Sequence, residues 1–394
     1  MNRRSATTAL MTLPLFASLP ADALAAAAAP PRTAWSFRTS EGLDAIAFLG
    51  PLSGKAFYAR YYAQELQDFK PRIAPAALDA LTSLVEAADA DGYLLWPRLS
   101  LILSGGRSDT IDDLLASLDD VGRRLRPRLE ASVYWSPSLW GQFEPMVERL
   151  RLLLQGLKAA GFAAYRRGLI GPAEARAEEL LRSFAPVDII SEQERLVGRT
   201  LEREIEMNLL WFCRPHGVKL QGQRFIAAVQ ASDATIALTA AHEVLHPPFD
   251  MRGAVARRCI AQLAADPLLQ RILAEKSRDS GYNSIEGIFE EDTVQALDQI
   301  IQERLGYGQP PAQRWADSDE GMHVFAAALY GMLKADRFDQ RGGNIEAWLD
   351  RAQARGQLAP AALHAAAAAV LGRAVDRLWT GGAAVAATSD RPQP

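Results

Sequence analysis

Cysteine is nearly absent from this 394-residue chain; only Cys213 and Cys259 occur. Two cysteines at that spacing exclude a cysteine-based zinc knuckle. They leave two readings open: a disulfide closing a loop of about 45 residues, worth about 3–4 kcal/mol, or two buried thiols. An excess of one charge is also lacking. A net charge of −4, from 43 basic and 47 acidic residues, offers no electrostatic footprint for nucleic acid or anionic lipid. One local basic run, "GRRLRPR" at Gly122–Arg128, reads as a solvated helix end. No internal repeat occurs, and no apolar run is long enough to stay in a membrane, because Pro14, Pro20 and Asp22 interrupt the N-terminal one.

What the chain does contain is an ordinary globular composition, 49% hydrophobic and 23% charged, enough for one large domain or two smaller ones. The first 29 residues stand apart. Arg3 and Arg4 precede a mildly apolar stretch that ends in small-x-small sites such as Ala23-Leu24-Ala25. These are the three parts of an export signal. The paired arginines suggest the twin-arginine route, but Ser5-Ala6-Thr7 lacks the expected apolar pair, so the route stays open. The expected location is periplasmic or secreted.

Downstream, the expected fold is mainly α with a small β element. Apolar residues recur at three- and four-residue spacing in "AALDALTSLVEAADA", "DTIDDLLASLDDVGRRL" and "FEPMVERLRLLLQGLKAAGFAAYRR". Asp109 and Ser191 read as helix N-caps, with Glu194 completing a capping box for a helix that runs on to just before Pro215. Arg224–Val229 reads as a strand, and Tyr93–Leu103 as a second one weakened by Pro97. Further helices are expected at Val255–Ala264, Ser284–Leu305, Ser318–Lys334 and Pro360–Leu378. A boundary near Gly168–Arg176 would separate an N-terminal helical region (30–170) from a zinc-binding region (171–380), ahead of a disordered tail (381–394). "GPLSGKAF" at Gly50–Phe57 is not a phosphate loop. It has three residues between its glycines where four are needed, and Ala56 where the hydroxyl belongs.

Chemistry concentrates in "TAAHEVLHPPFD", Thr239–Asp250. His242 and His246 lie four apart, so on a helix both imidazoles can aim at one point, and neutral imidazole suits zinc. Glu243 falls beside them, where a general base is needed for zinc-assisted attack by water. With only 5 histidines in the chain, that spacing is rarely met by chance. Pro247 and Pro248 require the helix to end at or near His246. A catalytic zinc needs a third protein ligand and an open position, and no histidine follows His246 closely enough to supply it. The acid-rich segment "SIEGIFEEDTVQALD", Ser284–Asp298, is the natural source.

At this point the chain resembles the gluzincins, zinc metallopeptidases in which a glutamate on a later helix completes a His-Glu-x-x-His site. It looks nearest to uncharacterised exported bacterial members, with their helical N-terminal half, a proline after the second histidine and an E-x-x-V-x-A pattern on the glutamate helix. The resemblance implies Glu291 as third zinc ligand, with Glu290 next and Glu286 a distant third. It departs from the thermolysin pattern at Gln295, where an aspartate would orient a histidine. It also implies an oxyanion-stabilising residue downstream, for which His323 and Tyr330 are the candidates and Tyr282 a lesser one. His216 and His364 are assigned no role. In such enzymes an edge strand beside the metal helix receives the substrate, a role open to the Arg224–Val229 strand, which serves equally well as a plain structural strand. The expectation is therefore a Zn2+-dependent hydrolase acting on a peptide or protein substrate. The alternative is a non-catalytic zinc-containing or metal-free helical binding protein, and Asp250 or a cysteine closing the fourth metal position would favour it.

Overall fold

The computed structural model describes residues 30–215, 217–277 and 282–381. Residues 1–29, where an export signal is expected, the tail beyond 381 and His216 lie outside the described residues. The protein is mainly helical with one small mixed sheet of four strands. β1 (Ala34–Thr39), β2 (Glu204–Leu210) and β4 (Arg224–Ala228) run parallel in the order β1-β2-β4, and the two-residue β3 (Val218–Lys219) pairs antiparallel outside β4.

The sheet separates two hydrophobic cores, which follows from the two-residue period of a strand. Ile205, Met207 and Leu209 of β2, with Phe225 and Ala227 of β4, face a core built from the C-terminal helices. Leu210 and Ile226 face the other way, into a core made by helices between Leu43 and Phe162. Cys213 lies in that N-terminal core and Cys259 in the C-terminal one, both as buried thiols. A buried ion pair anchors the N-terminal helices to the sheet. Asp44 accepts from Arg166 Nε at 2.6 Å and from the backbone N–H groups of Trp211 and Phe212, just past β2. Among the described residues no helix is long and apolar enough to cross a membrane.

Several local expectations are corrected. Tyr93–Leu103 is not a strand: Leu95–Leu103 is a helix, and Pro97 sits in its first turn, where no intrahelical N–H bond is lost. The helix expected to run on to Pro215 stops at Val197, because Gly198 adopts φ 67° and closes it, leaving 204–210 free to pair as β2. Its N-cap is Asp188, which accepts from Ser191 N–H at 3.2 Å; Glu194 instead accepts from Leu201 N–H at 2.7 Å. Thr110, not Asp109, caps the helix Ile111–Leu118, in a capping box with Asp113. The Ser318–Lys334 segment is broken, its main helix starting only at Val324. The last helix ends at Leu371 before Gly372 in the left-handed region. The helix expected at Ser284–Leu305 spans Ile285–Leu305, with Ser284 as its N-cap accepting from Gly287 N–H.

Candidate metal centre

Two helices build the site. The histidine helix, Asp233–Glu243, is capped by Ser232, which accepts from Thr235 N–H. It ends at Glu243, three residues sooner than His246. Pro247 and Pro248 carry no N–H to continue it, and the chain tightens into turns with Leu245 N–H donating to His242 and His246 N–H to Glu243. His246 is nevertheless held firmly: Tyr134, 112 residues upstream, donates to its carbonyl at 3.2 Å, and Arg199 donates to that of Pro247 at 3.0 Å. The glutamate helix, Ile285–Leu305, is buried on nearly every side, and Glu291, Asp292, Gln295, Asp298, Gln299 and Gln302 are all inside. Buried polar groups at that density must be satisfied by one another or by a ligand.

His242, His246 and Glu291 converge, each offering one ligand atom. The Nε2 atoms of the two histidines are 3.1 Å apart. Each also faces a carboxylate oxygen of Glu291, His242 at 3.5 Å and His246 at 3.4 Å. A tetrahedral zinc with bonds of about 2.0–2.1 Å places its ligand atoms about 3.3–3.4 Å from one another. The separations, each imidazole measured to its own oxygen of the Glu291 carboxylate, lie close to that value, and two imidazoles with one carboxylate form a donor set suited to zinc.

The outer nitrogens explain the orientation. His242 Nδ1 donates to Asp298 Oδ2 at 2.8 Å, and His246 Nδ1 donates to Glu290 Oε1 at 3.1 Å. Carboxylates only accept, so a proton belongs on each Nδ1, which leaves each Nε2, once its own proton is displaced, as a ligand atom turned inward. Asp298 is itself held by Arg314 and by Gln302 Nε2 at 3.1 Å. Gln295 donates to Glu291 Oε1 at 2.9 Å and accepts from Trp315 Nε1 at 2.9 Å. Glu290, the second candidate for ligand, thus supports His246 from outside. The aspartate that is missing at 295 stands at 298, seven residues after Glu291 and so on nearly the same helix face. That two-turn spacing was visible in the sequence; the Tyr134, Arg199 and Arg314 contacts were not.

Electrostatics follow from burial and these partners. Burial opposes charge on His242, but Glu291 and Asp298 outweigh it and hold its pKa well above the usual range. His246 is raised to about 9, its burial overcome by Glu290 and Glu291. Glu291, although buried, is held well below the ordinary carboxylate value by the two histidines. Burial, then the charges of Glu291, Asp319 and Glu243, push the phenol of Tyr282 well up, so it stays a proton donor beside Glu291.

His323 and Tyr330 are placed elsewhere. His323 is 1% exposed and precedes the Val324–Ala335 helix as its cap. Both of its ring nitrogens are engaged, Nδ1 by Asp292 at 2.6 Å and Nε2 by Asp319 at 2.8 Å. Tyr330 donates to Glu303 at 2.6 Å. Glu303 lies twelve residues past Glu291, about 18 Å along the helix axis. Neither side chain has a free polar atom turned to the triangle, whereas Tyr282 lies beside it. His364 is tied to Asp266 at 2.9 Å.

A cleft of about 870 Å³ opens between the two cores. Arg98, Tyr134 and Ser136 wall one side, and Lys219, Tyr282 and Asp319 the other. Tyr134 and Tyr282 connect it to His246 and Glu291. Gly217 packs so closely on Thr239, one turn before His242, that an added Cβ would come within 2.5 Å of its methyl. This contact sets β3 beside the histidine helix. β4 is paired on both edges, so the strand expected to receive substrate is interior, and the outermost strand on that side is β3. No protein-family model matches this chain, and no curated protein or solved structure is significantly similar to it.

Proposed function

We propose that this chain is a zinc-dependent hydrolase of peptide bonds, with His242, His246 and Glu291 as metal ligands and Glu243 as general base. The observation that carries the reading is the convergence of the two Nε2 atoms, 3.1 Å apart, on the Glu291 carboxylate, whose two oxygens lie 3.5 Å from His242 and 3.4 Å from His246, next to a cleft that Tyr134 and Tyr282 line. When bound, zinc supplies Lewis acidity, polarising a scissile carbonyl and making water acidic near neutral pH. Glu243, the final residue of the histidine helix, takes the proton of the attacking water and returns it to the leaving amine. Tyr282 keeps its phenolic proton and donates it as a hydrogen bond where negative charge grows on the carbonyl oxygen. Asp298 and Glu290 fix the imidazole orientations, which keeps the Nε2 lone pairs pointed inward. The export-type N-terminus adds a periplasmic or secreted location to the same reading.

The test is zinc content by plasma mass spectrometry, combined with cleavage of a mixed peptide library. We expect about one zinc per chain. Glu243→Gln should retain that zinc while cleavage falls by about 10²–10⁴-fold, the usual worth of a general base. Absence of zinc, with no effect of Glu243→Gln, would leave a metal-free helical binding protein in place of an enzyme.

A further inference from the structure

Lys219 closes β3, lines the cleft and carries its ammonium 4.3 Å from the centre of the Phe225 ring. Among the described residues no carboxylate comes within ion-pair distance of it. Burial lowers its pKa to about 8, and the more distant charges of Glu243 and Glu202 only partly oppose this. A partly buried ammonium without a counter-ion is unfavourable, and an anion arriving with a ligand relieves it.

Arg98 repeats the situation from the other core. It lies on the Leu95–Leu103 helix, which packs against β3, and faces the same cleft. Its guanidinium stacks 3.4 Å from the Tyr93 ring centre and donates to Gln142 Oε1 at 2.6 Å, again with no carboxylate in reach. The acids of the cleft differ, because theirs are already engaged. Asp319 pairs with His323, and Glu320 accepts from Ser277 N–H at 3.4 Å. Lys219 and Arg98 are thus two cations of the cleft without a paired carboxylate. With Glu243, Asp319 and Glu320 all nearby, a doubly charged phosphoryl group is disfavoured, and a single carboxylate fits.

We propose that Lys219, supported by Arg98, forms a subsite for a carboxylate of the peptide substrate, held beside Glu243. That carboxylate is the chain terminus or an acidic side chain. The inference rests on the hydrolase reading for its choice of a peptide as ligand.

Binding to the cleavage-impaired Glu243→Gln protein in zinc-containing buffer tests it, with calorimetry on three probes. These are acetyl-trialanine as the free acid, its amide, and acetyl-Ala-Glu-Ala amide. At least one carboxylate-bearing probe should bind about tenfold or more tighter than the neutral amide. Preference for the free acid identifies the chain terminus, and preference for the glutamate peptide identifies the side chain. Adding Lys219→Met should abolish the preference, and Lys219→Arg should restore most of it. Equal binding of all three probes, binding of none, or a preference that survives Lys219→Met would each overturn the subsite. Intact preference without cleavage by the Glu243-containing protein would overturn the hydrolase reading alone.

Discussion

Glu291 and Asp292 are neighbours on one helix, and each gathers histidine, but in opposite proportions. Glu291 faces two imidazoles; Asp292 shares a single imidazole with Asp319. Consecutive residues point about 100° apart on a helix, so the two clusters occupy separate faces of the same element. Around His323 both ring nitrogens meet carboxylates, and a proton on each satisfies everyone. Burial works against that charge, yet Asp292 and Asp319 overcome it and raise the pKa of His323 to about 10. Around Glu291 the histidines give their Nδ1 protons outward, and their Nε2 atoms, 3.1 Å apart, both turn to the one Glu291 carboxylate. A cation between them would satisfy all three groups. The ratio of imidazole to carboxylate, together with where the outer protons go, separates a candidate metal centre from a structural ion pair.

The comparison breaks most decisively if the two carboxylates prove interchangeable. Glu291→Gln should weaken zinc by more than the about 10–100-fold expected for an outer hydrogen-bond partner, enough to lose it on dialysis. Asp292→Asn should keep the zinc but strand a buried imidazolium, destabilising the fold by about 3–5 kcal/mol. Metal analysis and urea unfolding of the two variants read both effects, and a matching loss of zinc in Asp292→Asn would erase the distinction. Next in size is Asp298→Asn, which keeps the shape but loses the charge that orients His242. Zinc affinity should fall by about 10–100-fold in a competitive chelator titration.

The smallest effect concerns pH. The folded pKa of His323 stands above its ordinary value, so the folded state holds an extra proton between about 6.5 and about 10. The resulting stability is fully present below about 6.5 and is lost as pH rises through about 10. The difference in unfolding free energy between wild type and His323→Gln should therefore narrow from pH 7 to pH 10. A constant difference would show that His323 is not held as a cation.

Legibility in the sequence followed the range of the forces involved. The His-Glu-x-x-His spacing, the Ser284 cap and the β4 segment depend on neighbours a few residues away, and each could be read directly. Asp298 belongs with them, since seven residues is two helical turns. β1 and β2 were not legible. Their register pairs Ala34 with Glu204 and Thr39 with Leu209, so neither strand has a local partner to announce it. The sequence "EIEMNLL" extends the helical-looking run before it, and only Gly198 marks the break.

The sequence by itself determined which donors this protein owns and how two of them are spaced, because helical periodicity is a local property of the backbone. It equally determined the helical, acid-rich character of the Ile285–Leu305 segment. Only the tertiary structure decided that Glu291 faces both histidines, that Asp292 turns to His323, and that Tyr330 ends beside Glu303. It alone set Tyr134, Lys219 and Tyr282 around one cleft. Those choices depend on how two cores close against a four-stranded sheet, and packing between residues tens of positions apart or more is not written in any short stretch of the chain.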